Sequence, residues 1–295
     1  MGSTSVPLSV APQIAAYSPL AGANSLKIET VQVKHRLNLI NEWKISSNNR
    51  ILELGCGQGT CTAPLAYAVG PTGHVDAVDP GPPDYGSPIT LAQAQEFMSA
   101  TEIGPRISWH RATPIEFLQG KPETTWDTAV LAHCIWYFES EDTLKELLEV
   151  LKGRVQKICI AECALKASNP LAIPHLLATI ARGSLECCKT NSTENIRTLI
   201  SPSGIKDIAR STGWDIEDET VLVPEDLFDG NWETGTVVSQ EFSDEINRIE
   251  NRRLQTVLKS SREATKLATE GIGGVKNVAT MDVWCASLTL NAEST

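Results

Sequence analysis

Thirteen residues limit what this chain can fold into more than any others: Arg50-Ile51-Leu52-Glu53-Leu54-Gly55-Cys56-Gly57-Gln58-Gly59-Thr60-Cys61-Thr62. Ile51 to Leu54 form a short apolar run interrupted by a carboxylate, which predicts a buried strand. Three glycines follow at alternate positions, and then Ala63, Leu65, Ala66 and Val69 recur at helical spacing. A strand that passes through a glycine turn into a helix is the arrangement with which α/β proteins hold a nucleotide-like ligand. The glycines let the backbone approach the ligand, and the helix amino terminus directs its N–H groups at it.

The spacing separates two kinds of ligand. A dinucleotide fingerprint runs G-x-G-x-x-G. Here the pattern is G-x-G-x-G, with Thr60 where the third glycine of the fingerprint would fall, and Glu53 stands two residues ahead of Gly55. A carboxylate there repels a pyrophosphate and suits an ammonium group. The stretch resembles motif I, E/D-x-G-x-G-x-G, of the class I S-adenosylmethionine methyltransferases. The next strand, His74-Val75-Asp76-Ala77-Val78-Asp79-Pro80, ends in Asp79, twenty residues after Gly59, the distance one intervening helix requires. The resemblance implies S-adenosylmethionine as cofactor and S-adenosylhomocysteine as product. By that resemblance Glu53, Gly55, Cys56, Gly57 and Gly59 cradle the methionine part, and Asp79 with Pro80 meets the ribose. Ala132, at the end of the fourth strand, is assigned to the same pocket. The family often carries an acidic residue after the third strand to meet the adenine amine. Here Ala112 and Thr113 stand there instead, so these two are the candidates for that contact.

Apolar runs predict further strands at 107–110, 126–133, 155–161, 216–223 and 280–290, with helices between them. The expected fold is α/β: a Rossmann-like, doubly wound, seven-stranded sheet with its last strand antiparallel, plus helical cap inserts. Residues 1–44 are expected to form an amino-terminal helical lid, of which 1 to about 16 look loosely packed. Residues 45–295 form the methyltransferase domain, with inserts at about 164–203 and 224–276. The second insert is expected to hold a loop with Trp232 and one long amphipathic helix from about 239 to 268, with Phe242, Ile246, Ile249, Leu254, Val257, Leu258 and Leu267 on its apolar face.

His133 ends the fourth strand, where ligands lie in doubly wound sheets, and is the candidate general base. His110, at the end of the third strand, is expected on the adenine side and is read more readily as structural. Tyr17 and Asn24 in the lid, Trp136 and Tyr137 after His133, Glu162 at the end of the fifth strand and His175 in the first insert are the acceptor-side candidates. Glu162 suits either a cationic acceptor or the orientation of a histidine.

Charge narrows the acceptor. The chain has 36 acidic and 25 basic residues, a formal net charge of −11, and no basic stripe, which argues against nucleic acid. The eight cysteines show no C-x-x-C pair, so no metal is expected, and they suit a reducing, cytoplasmic setting. No membrane span is expected. No Asn-Pro-Pro-Tyr or K-D-K-E set is present. A monomer or homodimer that methylates a small organic molecule on oxygen or nitrogen is therefore expected. Its overall pattern resembles that of small stand-alone fungal methyltransferase-like proteins of secondary metabolism. The alternatives are a protein of the same fold that binds S-adenosylmethionine but catalyses a cyclisation or pericyclic step, and a silent regulatory subunit.

Overall fold

The computed structural model describes residues 5–20, 22, 25–189, 192 and 194–291; Asn24 lies outside them. Seven strands form one sheet: β1 (Arg50–Leu54), β2 (His74–Asp79), β3 (Ile107–Arg111), β4 (Trp126–Ala132), β5 (Val155–Cys163), β6 (Trp214–Leu222) and β7 (Val283–Leu290). Their order is β3-β2-β1-β4-β5-β7-β6. The first five are parallel, and β7 pairs antiparallel with both β5 and β6. The order reverses between β1 and β4, so a crevice opens beyond their carboxyl ends.

Central strands are apolar on both faces because helices cover both. Ile51 faces a core shared with α1 (Ala11–Ala15), α2 (Ser25–Glu42) and α3 (Thr62–Val69). Leu52 and Leu54 face the opposite core, built with α5 (Pro114–Gln119), α6 (Glu141–Val150) and α8 (Pro202–Ser211). α4 (Leu91–Ser99), started by a Thr90–Gln93 capping box, links β2 towards β3. A third, smaller core lies outside the sheet. It joins α7 (Ile173–Glu186) to α9 (Asp229–Val238), α10 (Gln240–Asn247) and α11 (Arg252–Gly271), which pack on each other.

Three sequence expectations change. Residues 11–15 are not loosely packed: Ala11, Ile14 and Ala15 are fully buried against α2 and α3. The segment is too short for its periodicity to stand out, but burial of its apolar face fixes it. The single long helix of the second insert is two, because Asn251 stops the pattern and caps α11 by accepting from the Arg253 and Leu254 N–H groups. Restarting the helix shifts its phase, so Phe242, Ile246 and Leu258 are buried whereas Val257 and Leu267 are exposed. Trp232 lies in α9 rather than in a loop, because Asp229 and Asn231 leave that stretch polar without interrupting the helix.

Candidate functional site

The glycine turn opens a cradle at the end of β1. Gly55, Gly57 and Gly59 all take positive φ, at 75°, 53° and 91°. A Cβ on Gly55 would lie 2.5 Å from Cys134 Cβ, so that glycine serves close packing of β1 on the start of the β4 loop. A Cβ on Gly57 would meet nothing within 4 Å. That open space adjoins Asp79, whose Oδ2 accepts the Gly57 N–H at 2.9 Å while its Oδ1 accepts the Gly81 N–H at 2.8 Å. Two backbone donors thus fix the Asp79 carboxylate and leave its outer lone pairs for a ligand's hydroxyls. The two glycines therefore separate in experiment. Gly55→Ala should unfold or strongly destabilise the chain. Gly57→Ala should cost only about 1–2 kcal/mol of backbone strain while abolishing cofactor binding, which thermal melts with and without S-adenosylhomocysteine resolve.

Glu53 is buried within β1, and its Oε2 accepts from Thr62 Oγ1 at 2.6 Å. Burial pushes its carboxyl up to about 8, against the opposing pull of the Thr62 hydroxyl and the Arg36 charge. Arg36 comes from α2, and its guanidinium acts on Glu53, Glu29 and Cys163. Its Nε is buried with no hydrogen-bond partner, and it has no ion pair among the described residues. A buried, unpaired guanidinium nitrogen near a buried carboxyl group is an arrangement an α-amino acid zwitterion would satisfy. Sequence reasoning missed Arg36. It stands beside His35 in an amphipathic helix, and only the packing of α2 over the β1 turn marks it.

At the end of β4, His133 takes a positive φ of 56°, unusual for a residue with a Cβ. Its ring lies between two partners. Nε2 is 3.0 Å from Nε2 of the buried His35, and Nδ1 is 3.7 Å from Glu162 Oε1. Glu162 is held in turn by the Cys163 and Ile135 N–H groups at 2.9 and 3.2 Å. The structure thus joins His133 and Glu162, and adds His35, whose burial holds its pKa well below the usual histidine value. Tyr137 is 45% exposed and lies within electrostatic reach of Glu162, Glu233 and Tyr85 on the same side.

Other candidates fall elsewhere or are already committed. Tyr17 donates to Glu102, in the loop before β3, at the amino-terminal end of the sheet and away from the crevice. The apolar lid segment carries it into the core instead. The Trp136 indole N–H donates to the Ile200 carbonyl at 2.8 Å, and the Trp136 carbonyl accepts from Arg197 and Thr198, so this residue ties the first insert to the sheet. His175 is buried, accepts the Met281 N–H on Nδ1, and is held down to about 4 by that burial, so it is neutral at ordinary pH. Thr113 spends its hydroxyl on a capping box with Glu116, and Ala112 beside it is half-buried. His110 pairs with Asp76 at 2.7 Å and packs on Phe117, as a structural histidine does. Cys56 is buried at the turn, Ala132 is half-buried at the end of β4, and Pro80 is exposed.

Comparison with known proteins agrees with this geometry. Residues 51–154 match the methyltransferase domain family. Methyltransferase phomM' of Diaporthe leptostromiformis is 27% identical over 282 residues, spanning 81% of this chain and 72% of that protein. A cyclopropane-fatty-acyl-phospholipid synthase-like protein from Lactobacillus casei is 28% identical and superposes with a TM-score of 0.86, covering 96% of this chain and 100% of that one. The [4+2]-cyclase SpnF shares the fold alone, at 11% identity and a TM-score of 0.51 over 96% of this chain and 93% of that one. The sheet order and glycine turn define a Rossmann-like α/β fold of the methyltransferase type. This chain is a class I S-adenosylmethionine-dependent methyltransferase, and S-adenosylmethionine is its cofactor.

Proposed function

We propose that the chain methylates a small organic acceptor, on nitrogen or oxygen, in secondary metabolism. The observation that carries this reading is the group of side chains at the ends of β4 and β5. His133 and Glu162 lie 3.7 Å apart there, and Arg182 of α7 and Glu233 of α9 reach Tyr137 electrostatically on that side, which suits a compact polar molecule. The acidic surface and the absence of a basic stripe fit a substrate other than nucleic acid. No helix of the described residues is long and apolar enough to cross a membrane. The cytoplasm is the proposed compartment, since the cysteines are free thiols and most of them are buried.

When bound, S-adenosylmethionine supplies an electrophilic methyl group; the protein supplies placement. Glu53 and Arg36 hold the amino-acid end, the Gly57 backbone gives it room, and Asp79 takes the ribose hydroxyls. His133 accepts the acceptor's proton. Alignment of the two reactants alone can supply about 7–11 kcal/mol of the barrier reduction. Asp79→Ala and Arg36→Gln should each weaken cofactor binding by roughly 1.5–3 kcal/mol, the range for hydrogen bonds involving a charged group. Unchanged affinity by calorimetry in either variant would remove that residue from the site.

The acceptor class is tested by incubating the protein with methyl-labelled S-adenosylmethionine and fractionated cell extract. Label is expected in the small-molecule fraction. Label confined to protein or RNA would contradict the proposal.

A further inference from the structure

The gap between His133 and Glu162 is a built feature that the cofactor site leaves unused. His133 Nδ1 and Glu162 Oε1 are 3.7 Å apart, too far for a hydrogen bond and close enough for one N–H-bearing group to reach both. Neither side can relax to close it. The Glu162 carboxylate is pinned by the Ile135 and Cys163 N–H groups, and the far edge of the His133 ring is taken by His35 at 3.0 Å. The His133 backbone is itself fixed by donating to the Ala161 carbonyl at 2.8 Å. Only Nδ1 is left to face the gap.

Two carboxylates without a Lys or Arg partner, Glu162 and Asp229, tip the charge around this gap towards negative. Cys163, whose Sγ lies within 4.8 Å of a His133 ring nitrogen and a Glu162 carboxylate oxygen, feels the carboxylates of Glu162, Asp229 and Glu233 against Arg36. Arg182 pairs with Glu233, so of the three Glu162 and Asp229 have no Lys or Arg ion pair among the described residues. Asp229 comes from α9, so that helix brings one further carboxylate to the end of β5. Such a field attracts a cation and repels a carboxylate or phosphate. Glu162 would add nothing to the binding of an uncharged alcohol that one histidine does not already supply.

We propose that this gap seats the acceptor atom and that the acceptor is a primary or secondary amine, bound as its ammonium ion between His133 Nδ1 and Glu162. This rests on the methyltransferase reading and names its substrate class. An ammonium has no lone pair and must lose a proton before it can react. His133 Nδ1 takes that proton. The freed nitrogen pair then forms the N–C bond as the methyl carbon's bond to sulfur breaks, leaving a methylated ammonium and the neutral thioether. The tautomer that serves this step carries its hydrogen on His133 Nε2 and donates it to His35, which burial keeps neutral and able to accept. His35 is thus a positioning residue.

The test uses the full chain with 15N-labelled histidine, saturated with S-adenosylhomocysteine and titrated separately with methylammonium, methanol, acetate and zinc. The His133 imidazole nitrogens should start as the Nε2–H tautomer and shift saturably with methylammonium alone. His35→Gln should disturb that tautomer without blocking S-adenosylhomocysteine binding. Glu162→Gln should weaken methylammonium at least about tenfold, and Cys163→Ser should leave its binding unchanged. Equal or tighter binding of acetate or methanol overturns the proposal, as does no saturable response to methylammonium. Zinc capture that Cys163→Ser abolishes, without a methylammonium response, would assign the cluster to a metal instead. If Glu162→Gln does not fold, discrimination among the four probes by the native chain still decides. Failure to saturate with S-adenosylhomocysteine is a separate result, and it would count against the methyltransferase reading itself.

Discussion

His133→Ala should lower the rate of methyl transfer by roughly 10²–10⁴-fold, the span that a positioned general base contributes. Cofactor affinity should change little, because Glu53, Arg36, Asp79 and the glycine turn are the proposed cofactor contacts and His133 makes none of their hydrogen bonds. Stability should fall modestly, because the buried His35 Nε2 loses its hydrogen-bond partner. A positive φ at a residue with a Cβ costs on the order of 1–2 kcal/mol, and Ala keeps that cost, so His133→Gly should be the more stable of the two replacements. Single-turnover kinetics with saturating cofactor separates the chemical step from binding. A His133→Ala variant with native single-turnover rates would show that the ring only packs against His35.

Glu53→Gln should move stability and binding in opposite directions. The Glu53 carboxyl titrates near 8 in the fold and near 4.5 in an unfolded chain. The folded-state value is the higher one, so between these two pH values the folded protein holds a proton that the unfolded chain has released. Stability contributed by this group is therefore present below about pH 4.5 and is lost as pH rises to 8. At pH 7 the loss is about 3 kcal/mol at 1.36 kcal/mol per unit. Gln keeps the shape without the titration, so the empty variant should melt higher than the native chain near neutral pH, and the difference should vanish at pH 4. Cofactor binding should fall by roughly 10- to 100-fold, since a charge-assisted contact with the ammonium group is lost. The site is thus destabilised when empty and relieved when filled, the usual trade between stability and function. Equal melting of variant and native chain across pH 4–8 would show that the Glu53 carboxyl titrates alike in the folded and unfolded chain.

Much of this site was legible in the chain, because a strand, a glycine turn and a helix are contiguous. That Gly57 and Asp79 meet, with Glu53 in the strand behind them, can be read from local order alone, since β1 and β2 must be neighbours with α3 between them. His133 and Glu162 are legible as strand ends, and the parallel pairing of β4 with β5 then brings them side by side. Arg36 and His35 were not legible. They occupy successive positions in α2, and nothing local says which face of α2 lies over the crevice. Tyr17 failed for the converse reason: its segment was assigned to the lid by analogy, whereas burial of Ile14 and Ala15 carries it to the other end of the sheet. The break between α10 and α11 is marked only by the step of five from Ile249 to Leu254, off the three-and-four pattern, and by Asn251, which caps a new helix; with apolar residues continuing on both sides, the one irregular step is easily read through.

Calorimetry of S-adenosylhomocysteine binding at pH 7, repeated in phosphate and in Tris and set beside NAD, tests the account at its centre. S-adenosylhomocysteine should bind and release close to one proton, drawn from Glu53 as its carboxyl ionises against the ligand's ammonium group. NAD should not bind. Binding of NAD in place of S-adenosylhomocysteine, or S-adenosylhomocysteine binding with no proton released, would contradict it.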